Sequence, residues 1–277
     1  MSSLRLTLAT VLALACTAAC GGTTAPEVRA PTPVYDEAGA TERFAHVWSD
    51  AADPYYARLR PQHGLDALVA GATTDLARVQ AVSRWTHTRF AHDGANAAPR
   101  PDPASILQDA ALGRRFRCVE YATVASGALT ALGIRTRMVW LLTREEGTRT
   151  DGVAHVVAEA YLRDAGRWVM VDAQWDAVPL LDGQPINALE LQGALARPAP
   201  GLTVASRSGT RTDDYGRWIA PYLHYFYTPL DHRVELPRTG AALVLAPIGD
   251  ESLARKYPAP VTRYTRSPAA FYARPES

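Results

Sequence analysis

The sequence predicts an α+β fold in which a central helix carrying a cysteine packs on an antiparallel sheet. Two observations carry that prediction. In "CVEYATVASGALTALG" the residues Ala122, Ala125, Leu129 and Leu132 recur at 3-4-3 spacing, the apolar stripe of a helix lying on a core, and Gly133 is the expected stop. Beyond Gly133 the period changes. "IRTRMVWLL", "AHVVAEAYL" and "WVMVDAQW" read as three successive strands, joined by the loop "TREEGTRTDG" and the turn "RDAGR".

The remaining elements follow in chain order. Arg5, the apolar run 6–15 and the small residues around Cys16 and Cys20 read as a cleaved export signal, because the run is too short to span a bilayer. In "TAACGG", Ala18 and Ala19 precede Cys20 and glycines follow it, which is similar to a bacterial lipobox. Cys20 is then the lipidated N-terminus, anchored to a membrane in the periplasm or at the cell surface. Thr17 stands where such motifs carry Leu, so an ordinary secretory signal is the alternative. Signal and lipobox occupy 1–20. A Pro- and Thr-rich flexible tether covers 21–36.

The core spans 37–178. Residues 37–60 are expected to be helical, with Phe44, Val47 and Trp48 on one face and Pro54 interrupting or restarting the turn. A second helix begins at Thr74 or Asp75 and aligns Leu76, Val79, Val82 and Phe90. "AHDGANAAPRPDPAS" is a loop, and a short helix over 106–112 stops at Gly113. Residues 179–277, rich in Pro and aromatics, read as an irregular extension on the core or as a second small domain, with a strand at "AALVLAPI".

Charge narrows the possible partners. The formal net charge is +1, and removal of Arg5 with the leader leaves basic and acidic residues equal. No long basic block exists, which argues against nucleic acid as a partner. With Cys16 removed and Cys20 lipidated, Cys118 is a solitary thiol in an oxidising compartment and has no intrachain disulfide partner. The sequence does not indicate an oligomeric state.

Cys118 falls in the first turn of its helix, where unpaired N–H groups and the positive dipole end favour a thiolate. His155 opens the second strand and Asp172 ends the third. In a hairpin the start of one strand lies beside the end of the next, so His155 and Asp172 become neighbours, and the imidazole can meet the thiol. Cys attack, His proton transfer and Asp orientation of the imidazole constitute nucleophilic acyl transfer. Taken singly, the three residues read as a small core residue, a strand-end polar residue and a turn residue. No second Cys or closely spaced His pair supports a metal site, and no cofactor is implied. His87 and His92 read as surface or loop residues.

"RRFRCVEYATVASGALTALGIRTRMV" and "GVAHVVAEAYLRDAGRWVMVDAQWD" resemble the core of the transglutaminase-like superfamily, which shares its fold with papain-type cysteine peptidases. The matching positions are Cys118, Glu120, Tyr121 and Ala122, then Leu132, Ile134, Arg137 and Val139, then His155 with Glu159, and Trp168 with Asp172. The helix with Trp85 resembles the one preceding the family's cysteine. Phe116 replaces a frequent Gly, Val156 and Val157 replace an aromatic after the His, and "AQW" follows Asp172 in place of "P-[TQ]". The resemblance implies a papain-like, transglutaminase-core fold and a cysteine enzyme that cleaves or transfers an amide acyl group of a peptide or protein through a thioester. Hydrolysis, as by a peptidase or amidase, is favoured by analogy over transamidation. A non-catalytic peptide- or cell-wall-binding module on the same fold is the competing expectation.

Trp140 and Trp175 are the candidate groove walls. The run "WIAPYLHYFY" (218–227) is expected to pack the tail in preference to lining a groove. The backbone N–H of Cys118 is the natural first oxyanion donor, with Gln108 as a second.

Overall fold

Aspartate and proline set the first helices. Asp53 caps α1 (Pro54–Gln62) by accepting from the Tyr55 N–H, and Pro54 takes the first position, where a missing N–H costs nothing. A single turn, α2 (Leu65–Leu68), follows. Thr74 caps α3 (Asp75–His87), and Asp102 caps α4 (Pro103–Ala111). The central helix α5 (Cys118–Ala131) stops before Gly133, whose φ of 79° is a left-handed conformation that glycine tolerates. The structure, a computed structural model, describes residues 33–37, 41–149, 151–233, 240–259 and 261–276. The leader, Cys16, Cys20 and residues 21–32 of the tether lie outside the described residues. Among those described, no helix is long and apolar enough to cross a membrane.

The helix expected over 37–60 forms only from Pro54. Residues 41–50 are extended, with Phe44, His46 and Trp48 turned inward and Ala45 and Val47 outward. Val47 bridges to Asp231; its N–H donates to the Leu230 carbonyl and its carbonyl accepts from the His232 N–H. Phe44 and Trp48 are four apart, which suits one helix face, but the alternation through His46 is the strand period, and it prevails.

Six strands build the main sheet: β1 (Thr136–Leu142), β2 (Ala154–Leu162), β3 (Arg167–Val171), β7 (Tyr225–Pro229), β8 (Ala242–Leu245) and β9 (Thr262–Thr265), in the order β3-β2-β1-β7-β8-β9. All neighbours are antiparallel except β8 and β9. A small sheet, β5-β4-β6, comprises β4 (Val178–Leu181), β5 (Gln184–Pro185) and β6 (Leu202–Ala205). The helices α6 (Ala188–Leu195), α7 (Thr212–Ile219) and α8 (Pro268–Phe271) complete the described elements of the extension.

The extension therefore differs from the irregular tail or separate small domain that the sequence suggested, since it supplies β7, β8 and β9 to the core sheet. The strand expected at "AALVLAPI" is β8, whereas β7 and β9 are short and lack a clear alternation to read.

Helix α5 lies in the middle of one core layer. Val124, Ala125, Ala128 and Leu129 are fully buried among side chains from α1, α3, α4 and the sheet. Each buried Val or Leu contributes roughly 1.5–3 kcal/mol. Gly127 permits the close approach of α4, because a Cβ there would stand 2.4 Å from Pro103 Cγ. The opposite face of the sheet carries a second layer, Val139, Leu141, Val157 and Met170, covered by Leu191, Tyr215, Ile219 and Phe271 of the extension.

Candidate active site

The start of α5 is held by Glu120, which is 1% exposed. One of its carboxylate oxygens accepts from the Arg117 N–H, and the other accepts from the Ala98 N–H and the Arg117 guanidinium. Cys118 is thereby fixed at the first helical position by a group two residues away, independently of its own thiol. Tyr121 donates to the Phe90 carbonyl at 2.6 Å, and a parallel bridge joins His92 to Phe116. The loop before α4 is thus laced to the segment that carries the cysteine. The side chain is half-buried, and it packs with Val119 and Trp140 on Ala122, Met138 and Val156.

His155 and Asp172 owe their adjacency to the β2–β3 register. His155 is two residues from Val157, and Asp172 two from Met170; Val157 and Met170 belong to the layer beneath the extension, so strand alternation brings both polar side chains to that side. Nε2 of His155 lies 2.7 Å from Asp172 Oδ2, with both residues almost completely buried. This pairing leaves Nδ1 for the thiol. Asp172 Oδ1 accepts from the Gln174 N–H at 3.1 Å, and the strand end is closed by paired backbone bonds between Asp172 and Ala177. Asp176 adopts a φ of 49° in this turn and is anchored by Ser83, the Arg207 N–H and Ser208. The residues "AQWD" after Asp172 thus build a tight re-entrant turn. His87, expected at the surface, contacts the Gln174 carbonyl through Nδ1 and braces the same turn.

Burial alone disfavours the imidazolium of His155. The Asp172 charge and hydrogen bond outweigh it, Cys118 adds to them, and His155 is pushed up to about 10. The Asp172 pairing thus favours the protonated form of the ring.

The extension supplies the rest of the site. Tyr215 of α7, fully buried, donates to Asp172 Oδ2 at 2.9 Å, the same oxygen that receives His155. Burial and the neighbouring carboxylate hold its phenol protonated, so it remains a donor. Trp218 stands edge-on to His155 with centroids 4.8 Å apart, and Tyr222 lies 6.0 Å from the same ring. The Tyr222 phenol is pushed up, first by burial and then by Cys118.

Part of the aromatic run therefore serves the site and not only the tail. Phe226 and Tyr225 are core residues, whereas Trp218 and Tyr222 cover the imidazole. Nothing local in the sequence marks Tyr215, because its partner is 43 residues away. Tyr215→Phe is expected to leave the fold intact and lower kcat several-fold at unchanged KM. An unaltered pH–rate profile would count against a positioning role.

Of the residues expected in the site, Cys118, His155 and Asp172 are brought together. Trp140 packs on the same Ala122–Met138–Val156 patch as Cys118 and lines a cavity. Trp175 packs against Trp218 and Tyr215, behind the His155–Asp172 pair. Gln108, expected as an oxyanion donor, is exposed on α4 and accepts from Arg100. That helix position turns its side chain to solvent. The backbone N–H of Cys118, at the helix start, remains the available donor. Among the described residues, no group of three or more His, Cys, Asp or Glu is placed to hold a metal ion.

The profile of the Transglutaminase-like superfamily matches residues 63–173, the segment from just after α1 to just past β3. No curated protein matches the sequence. Two solved structures overlap it in part. One is a proposed cysteine protease from Cytophaga hutchinsonii, at 13% identity and TM-score 0.35, covering 55% of this chain and 47% of its own. The other is a TGase, at 19% identity and TM-score 0.33, covering 44% of this chain and 32% of its own. The chain thus spans about half the length of the first and a third of the second. The matched segment contains Cys118 at the start of the central helix and closes just after the strand that leads into Asp172, and over this part the chain is similar to the transglutaminase-like superfamily.

Proposed function

We propose that the protein is a cysteine acyl-transfer enzyme that cleaves or transfers an amide acyl group of a peptide or protein substrate. The observation that carries this is the buried His155–Asp172 pair set against the Cys118 thiol at a helix start. The thiolate attacks the amide carbonyl, and the oxyanion faces the Cys118 N–H and the helix dipole. The imidazolium then gives its proton to the leaving amine. A thioester remains, and water or a second amine, deprotonated by the now neutral His155, releases it. Asp172 holds the ring and offsets its charge. Hydrolysis is the favoured outcome, with transamidation using the same steps and a different acceptor.

Alkylation of Cys118 by iodoacetamide tests this reading. At pH 6.5 the wild-type rate is expected to exceed that of His155→Ala by roughly tenfold or more, because the ring proton stabilises the thiolate. A thiol in the folded protein that is inert, or indifferent to His155, would favour the non-catalytic binding module. The same ring links to stability. Its pKa is raised from 6.5 to about 10, so its contribution is complete below about 6.5 and is lost as pH rises through 10.

A further inference from the structure

The proposed chemistry leaves the substrate side chain unassigned, and Trp140 supplies a physical basis for assigning it. On one side the indole packs on the Met138–Val156 patch that also carries Cys118. On the other it stands edge-on to Tyr227, with centroids 5.6 Å apart, and walls a cavity of about 280 Å³ together with Leu142 and Tyr257. Trp140 and Tyr227 are direct cross-strand partners, as are Leu142 and Tyr225, so these side chains share one face of the sheet. The Trp140 side chain is therefore shared between the patch that carries Cys118 and the wall of the cavity.

We propose that this cavity receives a bulky apolar side chain, aromatic in preference, of the acyl substrate attacked by Cys118; the proposal rests on the acyl-transfer reading above. Its volume lies near the lower end of ligand pockets, which suits one side chain and not an extended ligand. The lining presents ring faces and edges to an occupant. The Tyr257 hydroxyl is engaged by Glu146 at 2.7 Å. The rim carboxylate of Asp231 is bound by Arg233 at 2.7 Å. An aromatic occupant would make edge-to-face contacts with Trp140 and Tyr227, whereas an acidic one would meet Asp231.

Labelling of Cys118 by N-acetyl-phenylalanyl, N-acetyl-glycyl and N-acetyl-aspartyl chloromethyl ketones reads the preference. Each rate is divided by that of iodoacetamide, which needs no pocket. The phenylalanyl reagent is expected to lead the glycyl one by roughly 10- to 100-fold and the aspartyl one by more. Ala241→Leu, which fills the cavity, and Tyr257→Ala, which opens it, should both bring the ratio toward one. A ratio near one in the wild type, or one unmoved by both variants, overturns the subsite while leaving the acyl-transfer reading intact. If iodoacetamide itself fails to react with Cys118, the functional reading falls. The cavity is then decided by titrating N-acetyl-phenylalaninamide against tryptophan fluorescence in wild type and Ala241→Leu. Saturable quenching lost in the variant supports the pocket, and identical traces sink it.

Discussion

Replacement of Cys118 by alanine is expected to abolish turnover, with kcat on a peptide amide falling by about 10⁴-fold or more while the protein stays folded. Two features separate these effects. The thiol is half-buried, and the start of α5 is held by Glu120, Arg117 and the Ala98 N–H, none of which involves sulfur. Alanine is also the best helix former, so the first turn loses nothing by the exchange. The thiol, in contrast, is the only group in the site able to form the acyl intermediate, and water positioned by His155 is a poor substitute. Kinetics and thermal unfolding of the same preparation check both halves. Residual activity within tenfold of wild type would remove Cys118 from the mechanism, and a collapsed Tm would show that the thiol is structural.

Arg137→Ala is expected to destabilise the fold by about 3–5 kcal/mol, because it strands a buried carboxylate. The Arg137 and Glu159 side chains are 1% and 0% exposed and meet at 2.7 Å. The guanidinium also donates to the Phe271 carbonyl at 2.8 Å and lies 4.5–4.8 Å from the rings of Trp168, Phe271 and Tyr272. Glu159 in turn accepts from the Ala188 N–H at the start of α6 and from the Tyr272 hydroxyl. The pair is thus a clamp between the sheet of the core and the extension, and its loss frees both α6 and α8. A drop in Tm of about 10 °C is anticipated. Arg137→Met combined with Glu159→Leu should recover part of that loss, since no uncompensated charge remains. A single variant that loses less than about 1 kcal/mol would refute the clamp.

This clamp bears on function, because the extension carries Tyr215, Trp218 and Tyr222 to the triad. Helix α7 lies in the same layer as α6 and α8, over Val139, Leu141, Val157 and Met170. The matched segment 63–173 holds Cys118, His155 and Asp172, while the groups that saturate Asp172 and cover His155 lie beyond it.

What could be read from the chain divides along the range of the interactions. Helix α5 was legible because its stripe and its Gly133 stop are local. The Thr74 cap and strand β2 were legible for the same reason, and β2 agrees with the sequence pattern from Ala154 to Leu162. The pairing of His155 with Asp172 followed from hairpin geometry between adjacent strands, which a two-residue alternation is enough to specify. Residues 41–50 were misread because Phe44 and Trp48 satisfy a helical spacing by coincidence, and the backbone partners that make the segment extended, Leu230 and His232, are far along the chain.

The sequence by itself determined the central helix with Cys118 at its start, the succession of the first three strands and the pairing of His155 with Asp172, since each depends on residues within one element or one hairpin. Tertiary structure alone decided that the extension completes the sheet, that Tyr215 shares Asp172 with His155, and that Trp140 lies between the Cys118 patch and a cavity. Those contacts join elements distant in the chain, and neither periodicity nor propensity encodes which distant surfaces will meet once the core has packed.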